Sequence, residues 1–270
     1  FDEEKNGEMA QGWYTLSEKT ERTKTVYYDE NGWMVYGEKK IDGHWYYFNP
    51  VTGARVSGWR VISVKTGGTK TVYYDTNGWM IYGEKEIDGY KYYFDTVTGA
   101  RKEGWRKITE GQEFYYDENG RMVYGEKKID GHWYYFDKNT GNKLTGWQAV
   151  SVKKGGTKTV YYDENGRMIY GEKKIDGYWY YFNPVTGARV SGWRVISVKT
   201  GGTKTVYYDT NGRMVYGEKE INGNKYYFDT VTGARKEGWR KITEGQEFYY
   251  DENGRMVYGE KKIGGHWYYF

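Results

Sequence analysis

The chain has 270 residues, with 41 Lys and Arg against 37 Asp and Glu. Its net charge of +4 is spread through mixed-sign runs such as residues 37–43, so it has none of the concentrated basic footprint of a nucleic-acid binder. One residue in five is aromatic, 33 of them Tyr, while the only leucines are Leu16 and Leu144, which excludes one thick aliphatic core and favours many small contacts between neighbours.

There is no Cys, which suits a secreted bacterial protein and a cytosolic one equally. No apolar run approaches the roughly 20 residues a membrane-spanning helix needs. The chain opens on Phe-Asp and closes on Tyr-Tyr-Phe at the same phase of a repeat. It therefore reads as a segment of a longer protein, with residues 1–11 the tail of a preceding hairpin.

From residue 12 onward one pattern recurs. Gly-Trp pairs end at Trp13, Trp59, Trp105, Trp147, Trp193 and Trp239, spaced by 46, 46, 42, 46 and 46 residues. Met-Val/Ile-Tyr-Gly begins at Met34, Met80, Met122, Met168, Met214 and Met256, and Tyr-Tyr-Phe ends at Phe48, Phe94, Phe136, Phe182, Phe228 and Phe270. This divides a single tandem array into units 12–57, 58–103, 104–145, 146–191, 192–237 and a truncated 238–270. A longer period of 134 residues maps Trp59 onto Trp193 and Trp105 onto Trp239, as expected if three units were duplicated together.

Each unit has two related halves. The first, A, runs from Gly-Trp through a Gly-containing turn to Tyr-Tyr-Asp. The second, B, runs from Gly-Glu-Lys through Asp-Gly to Trp-Tyr-Tyr-Phe. Asp42-Gly43, Asp88-Gly89 and Asp130-Gly131 are tight-turn dipeptides, because Gly accepts positive φ without steric cost. Ile, Val, Tyr, Phe and Trp beside them favour pleated, half-buried positions. Alternation puts Trp45 and Tyr47 on one face of the strand and Tyr46 and Phe48 on the other, so both faces are aromatic. An isolated hairpin is marginal in water and must stack on a neighbour. The fold expected is all-β with no helix: a β-solenoid of about twelve short hairpins, with Met filling gaps between rings.

The frame Gly-Trp…Gly-x-Trp-Tyr-Tyr-Phe…Thr-Gly, recurring in all six units, resembles the choline-binding and glucan-binding repeat superfamily. The resemblance implies ligands held in grooves between consecutive hairpins, secretion to the bacterial cell surface, and an enzyme, toxin or adhesin domain elsewhere in the parent chain. A choline cage in that family combines the Trp of Gly-Trp with the first aromatic of Trp-Tyr-Tyr in one hairpin and a ring from the next, since several ring faces hold a quaternary ammonium. This chain departs from that pattern. In A hairpins Val26, Val72, Phe114, Val160, Val206 or Phe248 is read at the second Trp position. In B hairpins Glu38, Glu126, Glu172 and Glu260 replace the Trp of Gly-Trp, and Lys91 and Lys225 replace the second Trp. Ligand sites are expected where a B-hairpin Trp precedes the Gly-Trp of the next A hairpin: Trp45 with Trp59, Trp133 with Trp147, and Trp179 with Trp193. Rings flanked by Tyr and carboxylates suit a pyranose, so a cell-wall polysaccharide or α-glucan is the expected partner. A choline-substituted polymer is the alternative, and a ligand-free stalk or adhesin segment the third reading.

Every ring also has a packing role open to it. The Gly-Trp residues are weighted towards the core. Lys91 and Lys225 argue that the B-hairpin Trp is replaceable. Trp33 and Trp79 alternate with Arg121, Arg167, Arg213 and Arg255, which marks a solvated face or a stacking rim. His44, His132 and His266 occupy one repeat position and cannot converge on a metal, so neither a metal nor a cofactor is expected. A catalytic site needs a unique, asymmetric set of groups, whereas almost every polar residue here recurs; no enzymatic activity is expected.

Overall fold

A computed structural model describes residues 8–17, 23–152, 155–199 and 201–270. The expected hairpin tail at residues 1–11 falls mostly outside them. The described residues form 25 strands and no helix. The chain forms two compact units, Phe1–Gly125 with Phe136–Lys143, and Glu126–Tyr135 with Leu144–Phe270.

Within each unit the pattern is two-stranded antiparallel hairpins. The second A hairpin pairs Gly58–Ser63 with Thr69–Tyr74, and the B hairpin after it pairs Gly83–Ile87 with Tyr90–Phe94. The B turns have positive φ at both central residues, 51° at Asp88 and 77° at Gly89, which is the backbone a two-residue hairpin loop needs to match strand twist.

The register corrects one sequence assignment. Gly37 pairs with Phe48 and Gly58 with Tyr74, so Trp45 corresponds to Thr71 rather than to Val72. The backbone agrees: Met80 N donates to Trp45 O at 2.9 Å, and Arg101 N donates to Thr71 O at 2.7 Å. Val72 corresponds to Tyr46 and is fully buried. The shared Tyr-Tyr misleads because the B strand runs one residue further, to Phe48, where the A strand ends at Tyr74, so equivalence has to be counted from the paired ends of the strands.

The core is a series of small clusters. Ile87, Tyr92 and Phe94 of one hairpin close on Trp59 and Tyr73 of the hairpin before, and Ile62, Val72, Tyr74 and Met80 close on Tyr47. In the second unit Ile175, Tyr180 and Phe182 close on Trp147 and Tyr161 in the same way. The five Phe at the B-strand ends, from Phe48 to Phe228, are fully buried. Each hairpin thus covers apolar area that its neighbour alone would leave in water.

Candidate functional site

Between successive hairpins the stacking leaves a groove beside Trp45 and another beside Trp179. The first is a cavity of about 330 Å³, lined by Trp45 and Glu38 of one B hairpin, Val64, Thr66 and Lys70 of the next A hairpin, and Met80, Tyr82, Val97 and Thr98 from the connections beyond. Trp45 is 38% exposed, while its strand neighbours Tyr46 and Phe48 are buried. The groove around Trp179 is built of equivalent residues, including Glu172, Lys204, Met214 and Tyr216, with a volume of about 250 Å³.

The polar groups of the groove are held by one another. Lys70 Nζ lies 3.3 Å from Glu38 Oε1 and donates to the Thr98 carbonyl at 2.9 Å. The buried Tyr74 donates its hydroxyl to the same Glu38 oxygen at 3.5 Å. At Trp133 the corresponding distances are 3.0 Å for Lys158–Glu126, 3.0 Å from Lys158 to Thr186 O and 3.2 Å for Tyr162–Glu126. At Trp179 they are 3.8 Å for Lys204–Glu172, 2.8 Å from Lys204 to Thr232 O and 3.3 Å for Tyr208–Glu172. Burial first, and the Glu38 carboxylate second, raise the Tyr82 phenol above its ordinary range. Met80 forms part of the groove wall because Gly99, at φ 68°, leaves room for its thioether; a Cβ there would collide with the sulfur.

The six Trp expected at the junctions fall into two environments. Trp45 and Trp179 stand beside grooves, and Trp133 belongs to a hairpin with the same Glu, Lys and Tyr contacts, each Trp being 37–38% exposed. Trp59, Trp147 and Trp193 are wedged into rings. Trp59 meets Tyr73 edge-on at 5.1 Å and Tyr92 at 4.9 Å, Trp147 meets Tyr161 and Tyr180 at 5.1 and 4.9 Å, and Trp193 meets Tyr207 and Tyr226 at 5.1 and 4.8 Å. The second ring of the Trp45 groove is Tyr82, not Trp59. The Arg189 guanidinium also sits 5.9 Å over the Trp147 ring. Sequence reasoning missed Tyr82, Tyr170 and Tyr216, together with Lys70, Lys158 and Lys204. Their signals were on view as the Tyr of Met-Val/Ile-Tyr-Gly and as the Lys that precedes Thr-Val-Tyr-Tyr only in the long-turn A hairpins.

The alternating Trp and Arg position stacks on a ring at Trp79, Arg121 and Arg213, whereas Trp33 is 72% exposed. Trp79 lies flat on His44 at 4.0 Å and 8°, and donates its indole N–H to Tyr46 Oη at 2.7 Å. Arg121 and Arg213 take the same place over Tyr90 and Tyr178, each 4.0 Å from the ring centre.

The arrangement brings two ring faces, a carboxylate and an ammonium together in a shallow, repeated groove. The choline-binding repeat model matches residues 10–59, 102–146, 144–193, 190–238 and 236–270. No curated protein sequence matches the chain. Among solved structures, CbpJ from Streptococcus pneumoniae TIGR4 is similar at 23% identity, with a TM-score of 0.69 over 94% of this chain and 97% of that one. Choline binding protein F of the same organism is similar at 23% identity and a TM-score of 0.63, over 96% of this chain and 99% of that one. A second structure of that protein, at 23% identity and a TM-score of 0.63 over 95% and 96% of the two chains, was obtained in the presence of a tetrasaccharide-pentapeptide peptidoglycan analogue.

Proposed function

The chain belongs to the choline-binding repeat family, and from that premise we propose that it is a polyvalent, non-catalytic module that holds a polysaccharide, of the bacterial cell wall or an α-glucan, at Trp45, Trp133 and Trp179. The observation that carries this reading is the groove itself. Trp45 and Tyr82 offer faces for the apolar side of a pyranose, and the Glu38–Lys70 pair offers acceptors and donors for its hydroxyls. Trp59, Trp147 and Trp193 support the site from the packed side, holding the hairpin that forms the groove wall. A peptidoglycan fragment, the analogue present with choline binding protein F, is of the polymer class proposed.

One such shallow site is worth about 4 kcal/mol, a Kd near millimolar. Several sites on one polymer gain by effective concentration, about 10²–10⁴-fold. That is the use of a repeated weak site on a secreted, surface-located protein whose other domain is an enzyme, toxin or adhesin. The repetition also speaks against catalysis within the segment, since its carboxylates recur in equivalent settings instead of holding separate roles. A choline-substituted polymer is the second reading, favoured by the family and by the two rings each groove retains.

The test is Trp45→Lys, Trp133→Lys and Trp179→Lys in one chain. Lys91 and Lys225 occupy the equivalent position in their hairpins, so the variant should fold, and circular dichroism checks this. Retention on dextran and on isolated cell-wall polysaccharide should be lost. Unimpaired binding by the folded variant would remove these residues from the site.

A further inference from the structure

We infer that Lys70, Lys158 and Lys204 determine the specificity of the grooves, making each a site for an uncharged polyhydroxyl ligand and turning away organic cations. This rests on the groove being the binding site proposed above, and it names the chemistry the groove selects.

The starting point is a carboxylate where the A hairpins carry Trp: Glu38 follows Gly37 as Trp59 follows Gly58. A carboxylate beside Trp45 and Tyr82 would by itself favour a cation, since charge attraction would add to the ring faces. At Trp45, Trp133 and Trp179 alike a lysine cancels that charge, at 3.3, 3.0 and 3.8 Å from Glu38, Glu126 and Glu172. The lysines are held in place: each ammonium also donates to a main-chain carbonyl across the groove, and their side chains are only 17–18% exposed. A quaternary ammonium entering the groove therefore meets a fixed like charge and two rings in place of a full cage. A sugar meets the opposite case. An ammonium has three donors and a carboxylate about four lone-pair sites, so the pair keeps hydrogen-bonding capacity for hydroxyls after its internal bonds are made.

The lysine also goes with the Trp. The A hairpins that follow Trp45, Trp133 and Trp179 carry Lys70, Lys158 and Lys204, whereas those that follow Lys91 and Lys225 carry Gln112 and Gln246. Were the lysine needed only to stack hairpins, it would be needed at all five junctions. A charge built into a site against the wrong ligand is a recognised route to specificity.

The experiment is the full chain with Lys70→Gln, Lys158→Gln and Lys204→Gln, substitutions the chain already carries at Gln112 and Gln246. Choline chloride is titrated calorimetrically and dextran by retention. The triple variant should bind choline about tenfold or more tightly than the parent chain, through ring and carboxylate contacts no longer opposed. Dextran retention should fall by about threefold to tenfold through lost donors. Adding Glu38→Gln, Glu126→Gln and Glu172→Gln should erase the choline gain. Equal choline affinity in the parent and triple variant overturns the inference, as does a gain that survives loss of the carboxylates. The two readings separate cleanly. If the parent chain ignores dextran but the choline gain appears, the polysaccharide assignment falls and the lysine's role stands. If dextran binding depends on Trp45, Trp133 and Trp179 but choline is indifferent to the lysines, only this inference falls.

Discussion

The junction at Trp179 and the junction at Lys225 lie in the same compact unit and are built on equivalent cores. Ile175, Tyr180 and Phe182 pack under one, and Ile221, Tyr226 and Phe228 under the other. The stacking bond is the same as well: Met214 N donates to Trp179 O at 2.9 Å, and Met256 N donates to Lys225 O at 2.8 Å. The surface above that core differs. Glu172 reaches forward to Lys204 of the next hairpin, and Tyr208 donates its hydroxyl to it at 3.3 Å. Glu218 instead pairs at 3.2 Å with Lys225 of its own hairpin, and the buried Tyr250 hydroxyl is left with no hydrogen-bond partner. One backbone therefore carries two kinds of junction: one keeps a groove, the other closes its carboxylate on itself. Stacking and the surface above it are separable in this repeat: Trp179 gives way to Lys225 while the buried rings and the stacking hydrogen bond stay the same.

If stacking is common to both junctions, Phe182→Ala and Phe228→Ala should destabilise the chain equally. Both rings are fully buried, so each truncation should cost about 3–5 kcal/mol, read from urea denaturation. A difference well beyond the error of the two curves would place part of the distinction in the core.

A smaller effect tests whether the groove is portable. Lys225→Trp with Gln246→Lys, and Lys91→Trp with Gln112→Lys, should restore the missing ring and its lysine. Each conversion should raise dextran affinity by about threefold to thirtyfold, the worth of roughly 0.5–2 kcal/mol of ring contact. Absence of any gain would assign the groove wall to the longer A turn, which supplies Val64 and Thr66 at Trp45 and has no counterpart in the two-residue Glu244-Gly245 turn.

The tyrosines sharpen the contrast further. Tyr208→Phe removes a hydrogen bond to a carboxylate and should cost about 1 kcal/mol. Tyr250→Phe removes a buried hydroxyl that makes no such bond, and should be neutral or stabilising. Equal costs in thermal melts would show that Tyr250 is paired in solution and that the two junctions are more alike than described.

The fold was legible because its causes are local. Asp-Gly turns, alternating aromatic residues and a fixed period each point to hairpins before any tertiary contact is considered. The groove was legible only in part. Trp45, Trp133 and Trp179 were visible as rings the repeat could replace, but their neighbours come from about 25 and 37 residues further on, as strand residue Lys70 and Tyr82 of the following connection do for Trp45. Which ring faces which is set by how one hairpin rotates onto the next. No spacing along the chain encodes that rotation, and so adjacency in sequence pointed to Trp59 where stacking supplies Tyr82. The position held by Val72 was misassigned because Val-Tyr-Tyr matches Trp-Tyr-Tyr by eye, while strand pairing places the A-strand Tyr74 opposite Gly58 where the B strand has Phe48 opposite Gly37.

The smallest expected effect is electrostatic and lies in the turns that leave the B hairpins. Beyond the Lys225 hairpin, Asp229 accepts from Val231 N and Thr232 N, and pairs with Lys236 at 2.9 Å. Beyond the Trp179 hairpin, Asn183 accepts the equivalent bonds from Val185 and Thr186, and Val190 stands where Lys236 does. The Thr232 amide first, then Lys236, hold the Asp229 carboxyl well below its ordinary value of 3.8, and Lys102 and Thr98 do the same for Asp95. A carboxyl depressed in the folded state binds fewer protons there than in the unfolded chain. Its stabilisation is therefore complete above the ordinary value and is lost as pH falls below it. Asp229→Asn with Lys236→Val, and Asp95→Asn with Lys102→Val, should leave the chain near its parent stability at neutral pH but flatten the loss below pH 4. The turns are solvent-exposed and screened, so the change in Tm between pH 7 and pH 3 should shrink by only about 1–3 °C. Asp137, in the turn after the Trp133 hairpin, is lowered by the Thr140 and Asn139 amides and remains in the variant, so some acid sensitivity should persist. An unchanged acid slope would mean that these turns stay folded after protonation, with the two kinds of turn equivalent despite their charges.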